Sequence, residues 1–164
     1  MGLEIISSRV EDSLLLKELF QQPDVLQYFP MEDLREIDDS VRIWEIFCRK
    51  GASLTSVVDG VACGLAFLNL QPYKKFAHQC LITIIVDDEY RGKGIGTALM
   101  HELMKLSKEK FSLEMLHLEV YESNPAIRLY ERLGFEVYGV NKRYIKEKKR
   151  YIDKILMQKW LISR

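Results

Sequence analysis

In one stretch of the chain, a strand-like spacing of apolar residues is followed by a helical spacing, with only a short turn between them. Residues 81–86 form an apolar run, interrupted by Thr83 alone and rich in β-branched side chains, which is typical of a strand covered on both faces. After a turn, apolar residues recur every three or four positions, at Leu99, Met100, Leu103, Met104 and Leu106. This spacing predicts an amphipathic helix over about residues 95–110. The sequence therefore predicts a strand, a short turn and a helix in direct succession.

Similar patterns predict the remaining elements. Alternating or continuous apolar runs predict strands at residues 3–7, 53–58, 61–70, 79–86, 115–121, 136–146 and 151–160. The second and third of these strands are joined by Asp59-Gly60, a strong hairpin signal. Helices are predicted at residues 14–20, 41–49 and 125–133, with Asp38, Asp39 or Ser40 capping the second. This order predicts an α/β fold whose sheet begins antiparallel and becomes parallel where the long helix crosses to residues 115–121.

Composition and charge narrow the class of protein. The 164 residues are predicted to form one domain that spans residues 1–164. Lysine plus arginine and aspartate plus glutamate both number 24, so the overall charge favours neither nucleic acid nor a membrane surface. The three cysteines show no CxxC spacing, and the sequence has no signal-peptide pattern and no apolar run of ~18 residues. We therefore expect a cytoplasmic protein with reduced thiols that binds neither membrane nor nucleic acid.

The turn between the apolar strand and the long helix reads Arg91-Gly92-Lys93-Gly94-Ile95-Gly96. The first backbone N–H groups of a helix have no helical acceptor, and the peptide dipoles add partial positive charge there. The glycines leave room for a phosphate to approach closely, and Arg91 and Lys93 add full positive charge. A P-loop is excluded because no Lys-Ser or Lys-Thr pair follows, and the Gly-x-Gly-x-Gly spacing departs from the dinucleotide fingerprint. The turn is therefore predicted to hold a diphosphate.

Two motifs together resemble the GNAT superfamily of N-acetyltransferases. The first is Arg-x-x-Gly-x-Gly, formed by Arg91, Gly94 and Gly96 after an apolar strand. The second runs from Asn124-Pro125-Ala126 through Tyr130 to Gly134-Phe135, after the strand at residues 115–121. The motifs occur in the order and spacing of the family, and the resemblance is closest over residues 82–135. It implies a GNAT-type fold, with a mixed central sheet splayed at the cofactor site and flanked by helices, and acetyl-CoA as the cosubstrate.

The resemblance also implies roles for individual residues. The diphosphate would be bound by Arg91, Gly92, Lys93, Gly94, Ile95, Gly96 and Thr97. A backbone N–H at Ile85 or Val86 would contact the thioester carbonyl, and the same strand edge would pair with the pantetheine amides. Tyr130 is expected to protonate the leaving thiolate, since a phenol with a pKa near ~10 keeps its proton at neutral pH. Asn124 is expected to cap the following helix, to contact the cofactor, or to do both.

The base that accepts the amine proton is the least defined residue. Glu119 shares one face of its strand with His117 and Tyr121, and it could draw the proton through a water molecule. His78 and His117 are alternatives, although a single histidine is more often a structural residue. The histidines show no ligand spacing, so no metal is expected.

The acceptor is expected to be the primary amine of a small molecule, such as an amino acid or a polyamine, that attacks directly in a ternary complex. A protein N-terminal or lysine acetyltransferase and a noncatalytic CoA-binding module stay open as alternatives, as does a homodimer. The acidic residues 32–39 could attract a cationic amine or form a solvated loop with helix caps. Six of the nine residues 142–150 are basic, which favours a solvated hairpin over an RNA or CoA-phosphate contact. The loops at residues 22–39 and 71–78 are expected to decide whether the acceptor groove is open or closed.

Overall fold

Seven strands form one mixed sheet in the computed structural model, which describes residues 1–163. The strands are β1 Leu3–Ser7, β2 Ser53–Val58, β3 Val61–Asn69, β4 Gln79–Val86, β5 Met115–Tyr121, β6 Glu136–Glu147 and β7 Arg150–Trp160. They lie side by side in the order β1-β2-β3-β4-β5-β7-β6. Within residues 1–163, β4 and β5 are the one parallel pair of neighbours. The predicted strands and the predicted change of direction are both confirmed.

The helices cover the two faces of this sheet. They are α1 Ser13–Gln21, α2 Pro23–Leu26, α3 Leu34–Arg49, α4 Ile95–Glu109 and α5 Ile127–Arg132. On the α4 face, the buried cluster includes Ile82 and Leu99; on the opposite face, α1 and α3 pack over a second cluster that includes Trp44 and Ile85. Both faces of β4 are therefore covered, as its apolar run predicted. No helix among residues 1–163 is both long enough and apolar enough to cross a membrane.

β4 and β5 separate part-way along their length. They pair at three positions, the last of which is Leu81 with His117, although β4 continues to Val86 and β5 to Tyr121. From Ile82 onward, the edge of β4 on the β5 side has no strand partner within the described chain. The splayed sheet that the family resemblance implied is confirmed, and we call this gap the split.

The start of α3 lies about two turns before the predicted position, and the predicted cap at residues 38–40 is wrong. The cap is Asp33, whose side chain accepts a hydrogen bond from the N–H of Glu36 at 2.9 Å. The Glu36 carboxylate in turn accepts from the N–H of Glu32 at 2.9 Å. Ile37 is buried and extends the apolar face of the helix toward its N-terminus. Most of the acidic residues 32–39 therefore lie in the first turns of a helix rather than in a loop.

The start of α5 also differs from the prediction. The helix covers Ile127–Arg132 rather than residues 125–133, and its N-cap is Ala126. The Asn124 side-chain oxygen accepts a hydrogen bond from the N–H of Ala126 at 2.9 Å. Asn124 is therefore not the helix cap that was expected; its side chain orders the turn before the helix, as asparagine commonly does.

Candidate active site

The glycine-rich turn between β4 and α4 is open and uses left-handed backbone at two positions. Gly92 and Gly94 have φ angles of +73° and +79°, which other residues adopt only at a cost. A Cβ atom added at either position would meet no atom within 4 Å. The backbone conformation therefore favours glycine here, and the space around the turn is accessible to a ligand.

The first amides of α4 form a donor set at the end of this turn. The first hydrogen bond of the helix joins the N–H of Ala98 to the carbonyl oxygen of Gly94 at 3.1 Å. The N–H groups of Ile95, Gly96 and Thr97 precede it, and none has a backbone acceptor within residues 1–163. The side chain of Ile95 is 1% exposed, so only its backbone can contact a ligand. Unpaired amides at a helix N-terminus are an anion-binding arrangement.

Two exposed cations flank these amides. Neither Arg91 nor Lys93 forms an ion pair with another residue in the described part of the chain. The Lys93 ammonium lies 5.3 Å from the centroid of the Tyr90 ring. Both positive charges are therefore available to an anion bound at the turn.

The hydrogen-bond register decides which amides of β4 are directed into the split. The N–H of Asp87 donates to the carbonyl oxygen of Cys63 at 2.8 Å, on the β3 side. Hydrogen-bonded and non-hydrogen-bonded pairs alternate in an antiparallel ladder, so Ile85, paired with Leu65, also bonds toward β3. The backbone of Val86 is directed the other way, into the split. The register therefore favours Val86 over Ile85 as the predicted amide contact.

Tyr130 lies on α5 with its ring in the core on the α4 face. Its side chain packs edge-to-face on Phe135, with ring centroids 6.1 Å apart and an interplanar angle of 66°. The residue is 7% exposed, and burial raises the pKa of its phenol above the usual value. The hydroxyl has no hydrogen-bond partner in residues 1–163. Every fully buried side-chain oxygen or nitrogen in those residues does have a partner, so the Tyr130 hydroxyl is not fully buried. The hydroxyl group therefore keeps contact with open space.

Glu119 lies on the other face of β5, on the side of the sheet that carries α1 and α3. Its neighbours in sequence, Leu118 and Val120, belong to the cluster on the α4 face. The Glu119 carboxylate forms an ion pair of 3.1 Å with the ammonium of Lys154 on β7. Sequence analysis missed Lys154, because the contact depends on the register of β5 against β7, in which Lys154 is opposite Tyr121.

His117, the alternative base on the same strand, has a structural partner. The Nε2 atom of His117 lies 2.7 Å from the Oε1 atom of Gln79, across the paired part of β4 and β5. Burial lowers the pKa of His117, and the Glu119 carboxylate opposes that shift. Burial raises the pKa of the Tyr121 phenol, and Glu147 and Glu119 add to the rise. Within residues 1–163, no three side chains of the usual metal-ligating types come together as a metal site.

The loop at residues 71–78 and the hairpin of β6 and β7 lie at opposite ends of the split. The loop at residues 71–78 leads into Gln79, which pairs with Met115 at the closed end of the split. This loop therefore lies at the opposite end of the split from the glycine turn, and its part in the acceptor groove stays a prediction. The hairpin of β6 and β7 instead reaches the open end, because the N–H of Glu122, just after β5, donates to the carbonyl oxygen of Asp153 at 3.1 Å.

Comparison with known proteins agrees with this geometry. The model of the acetyltransferase (GNAT) family matches residues 16–135. The chain belongs to this family. The GNAT chain is 26% identical over 160 residues to the L-amino acid N-acetyltransferase of Escherichia coli, with 94% of this chain and 96% of the relative covered. It is 35% identical over 119 residues to an N-alpha-acetyltransferase of Sulfurisphaera tokodaii, with 71% and 68% covered.

Solved structures share the fold of the GNAT chain. An acetyltransferase from Salmonella typhimurium, solved with acetyl-CoA, matches with a TM-score of 0.87 at 20% identity, and 100% of this chain and 96% of that chain are covered. The predicted family, fold and enzyme class are confirmed: the GNAT chain is an acetyl-CoA-dependent acyltransferase. The roles of individual residues and the extent of the domain stay predictions.

Proposed function

We propose that the GNAT chain transfers the acetyl group of acetyl-CoA to the primary amine of a small molecule, and that L-amino acids are the first acceptors to test. The observation that carries the proposal is the split, which has the amides of the glycine turn at its open end. The Glu119 carboxylate lies across the sheet from α4. The relative matched over almost its whole length is an L-amino acid N-acetyltransferase, which supports this acceptor class.

Acetyl-CoA would bind through the turn and the edge of β4. The diphosphate would accept hydrogen bonds from the N–H groups of Ile95 to Thr97, with Arg91 and Lys93 balancing its charge. The pantetheine arm would lie along the unpaired edge of β4 as an added strand. The N–H of Val86 would then donate to the thioester carbonyl and stabilise the oxyanion as it forms. Asn124 would hold the turn beside the cofactor arm.

The chemical step would proceed by direct attack in a ternary complex. The amine nitrogen bonds to the carbonyl carbon, and its surplus proton passes to the Glu119 carboxylate through water. The C–S bond then breaks, and CoA leaves as a thiolate. A thiol has a pKa near ~8.5, whereas burial raises the pKa of Tyr130 above that of an ordinary phenol, near ~10. Tyr130 therefore donates a hydrogen bond to the thiolate, and the proton that the amine released completes the thiol by way of solvent.

A second candidate acceptor is the N-terminal amine of a protein. The observation that favours it is the identity of 35% to an N-alpha-acetyltransferase over 119 residues. Such an acceptor would enter on the face of α1 and α3, past the hairpin of β6 and β7. Peptides with a free N-terminus test this candidate against free amino acids, because a peptide offers the same α-amine and differs only by the added chain.

The deciding experiment follows consumption of acetyl-CoA as free thiol release. The acceptor panel contains the L-amino acids, spermidine, and short peptides with free or blocked N-termini. Turnover of free amino acids above that of all peptides is expected. Faster turnover of free-N-terminus peptides would replace the proposal with the second candidate. Binding of acetyl-CoA without turnover of any acceptor would contradict both and favour a noncatalytic module.

A further inference from the structure

The ion pair between Glu119 and Lys154 is unequal in exposure. The two charged groups are 3.1 Å apart, but the side chain of Lys154 is 10% exposed and that of Glu119 is 42% exposed. A nearly buried ammonium carries a large desolvation cost unless its partners are well placed. A partly exposed carboxylate on a strand has solvent as an alternative partner. The ammonium therefore has fewer alternative positions than the carboxylate and is the fixed partner of the pair.

A second contact confines the Lys154 ammonium. Its Nζ atom lies 3.7 Å from the centroid of the Tyr144 ring, which is a close cation–π contact. Tyr144 lies within a register shift between β6 and β7. The neighbouring residue Arg143 has a φ of +54°, and its N–H donates to the Asp153 carboxylate at 2.8 Å. The irregular stretch of β6 is thus fixed by its own hydrogen bond, and it places an aromatic ring on the ammonium.

Several charged or titratable groups surround the carboxylate of Glu119. His117 and Tyr121 flank it on β5, Lys154 approaches from β7, and Glu147 on β6 is near Tyr121. Within residues 1–163, Lys154 is the one cation at ion-pair distance from Glu119. Lys154 is opposite Tyr121 and reaches Glu119 along the diagonal of the β5–β7 ladder. This diagonal contact limits the rotamers open to Glu119.

We propose that Lys154, held by the Tyr144 ring, is a positioning residue that orients the Glu119 carboxylate for proton transfer. This inference rests on the proposed function, in which Glu119 accepts the amine proton. Lys154 does not touch the substrate in this arrangement and acts only through Glu119. A purely structural salt bridge is the alternative. The first test below asks whether the two contacts of Lys154 exist in solution, and the second separates the two roles.

The first test needs no acceptor. In the ¹H–¹³C spectrum of the whole chain, the ε-methylene of Lys154 should lie upfield of exposed lysines, because the Tyr144 ring faces its ammonium. Tyr144→Leu should remove this displacement, and Glu119→Gln should change it. Lys146→Met is the matched control and should leave the Lys154 signal in place. The Lys146 ammonium belongs to the same hairpin but lies against a different ring, 5.6 Å from the centroid of Tyr151. A Lys154 signal at the position of exposed lysines, or one that Glu119→Gln leaves in place, would overturn the proposal.

The second test measures turnover of acetyl-CoA with the panel acceptor of highest rate. Lys154→Met should lower kcat by about tenfold or more while KM for acetyl-CoA stays within about twofold, and Lys154→Arg should restore most of the rate. Lys146→Met should react as wild type does. The double variant Lys154→Met/Glu119→Gln should be no slower than Glu119→Gln alone, because Lys154 acts through Glu119.

Two kinetic outcomes would contradict the positioning role. Losses that multiply in the double variant would give Lys154 a function independent of Glu119. A wild-type rate for Glu119→Gln would remove Glu119 from the reaction, and the role of Lys154 with it, while acetyl transfer itself would stand. The spectroscopic test does not depend on the acceptor, so a failure of the ion pair is distinguishable from a failure of the proposed function.

Discussion

Gly60 and Gly94 both have a left-handed φ angle, at two different places in the fold. Their φ angles are +84° and +79°, and a Cβ atom at either would have no atom within 4 Å. Gly60 lies in the turn between β2 and β3, whereas Gly94 caps α4 beside its unpaired amides. The same substitution therefore meets a similar unfavourable φ at both positions, and only one of the two changes the anion site.

Gly94→Asp should abolish binding of acetyl-CoA because it places a carboxylate among amides that would hold the diphosphate. We expect a loss of affinity of at least ~100-fold, which is about 2.7 kcal/mol. Gly60→Asp should lower the melting temperature about as much as Gly94→Asp does, and it should leave the affinity for CoA unchanged. Calorimetric titration with CoA measures the affinity of both variants, and thermal unfolding measures their melting temperatures. Equal affinity of the Gly94 variant and wild type would remove the turn as the diphosphate site.

Tyr130→Phe should lower kcat far more than it weakens binding of acetyl-CoA, by about 100-fold if the phenol assists thiolate departure. Burial raises the pKa of the Tyr130 phenol, so the phenol keeps its proton at pH values up to and above the pKa of an ordinary tyrosine. Loss of its proton should therefore not reduce kcat at any pH below ~10. Steady-state kinetics over that pH range measure both effects.

Tyr138→Phe provides the control for Tyr130, because Tyr138 lies on β6 and is 51% exposed. It removes one phenol without touching the core and should react as wild type does. A Tyr130→Phe variant with unchanged kcat would instead make Tyr130 an ordinary core residue, packed on Phe135.

Features set by neighbouring residues in sequence were predictable, and those set by strand register were not. The hairpin at Asp59-Gly60 and the glycine turn before α4 each need only a short run of residues, and both are as expected. The cap of α3 was ambiguous in sequence because several acidic residues lie before its apolar residues, and each of them could cap a helix. In the structure the helix begins after Asp33, and Ile37 in its first turn is buried. The contact between Glu119 and Lys154 exists only once β5 and β7 are aligned.

Asp33→Ala should destabilise the protein by ~1 kcal/mol, because it removes the side chain that accepts from the N–H of Glu36. Asp39→Ala is the comparison, since Asp39 was among the predicted caps but forms an exposed ion pair with Arg42. Exposed pairs contribute little, so this variant should change stability by at most ~0.5 kcal/mol. Urea denaturation measures both. A larger loss for the Asp39 variant would contradict the assigned start of α3.

The three cysteine thiols should react slowly in the folded protein. All three are buried. Burial raises the pKa of the Cys80 thiol to about 12, and it also raises the pKa values of Cys48 and Cys63. The thiolate is the reactive form, so a higher pKa leaves less of it at pH 8. A disulfide reagent should therefore label almost no thiol in the native protein and three after unfolding in guanidinium. Rapid labelling of the native protein would show that the core around these thiols opens readily.

Removing the Glu119 charge should destabilise the protein more than removing the Lys154 charge. Glu119→Gln leaves a nearly buried ammonium with no countercharge, only a neutral amide oxygen and the Tyr144 ring, and we expect a loss of ~1–3 kcal/mol. Lys154→Met leaves a carboxylate that is 42% exposed, which water can solvate, so the change should stay within ~1 kcal/mol. Combining the two substitutions should recover most of the stability lost in Glu119→Gln, because no unpaired buried charge remains. Thermal unfolding of the three variants gives the comparison, at roughly 2–4 °C per kcal/mol for a chain of this size. A greater loss for Lys154→Met than for Glu119→Gln would mean that the carboxylate, and not the ammonium, depends on the pair.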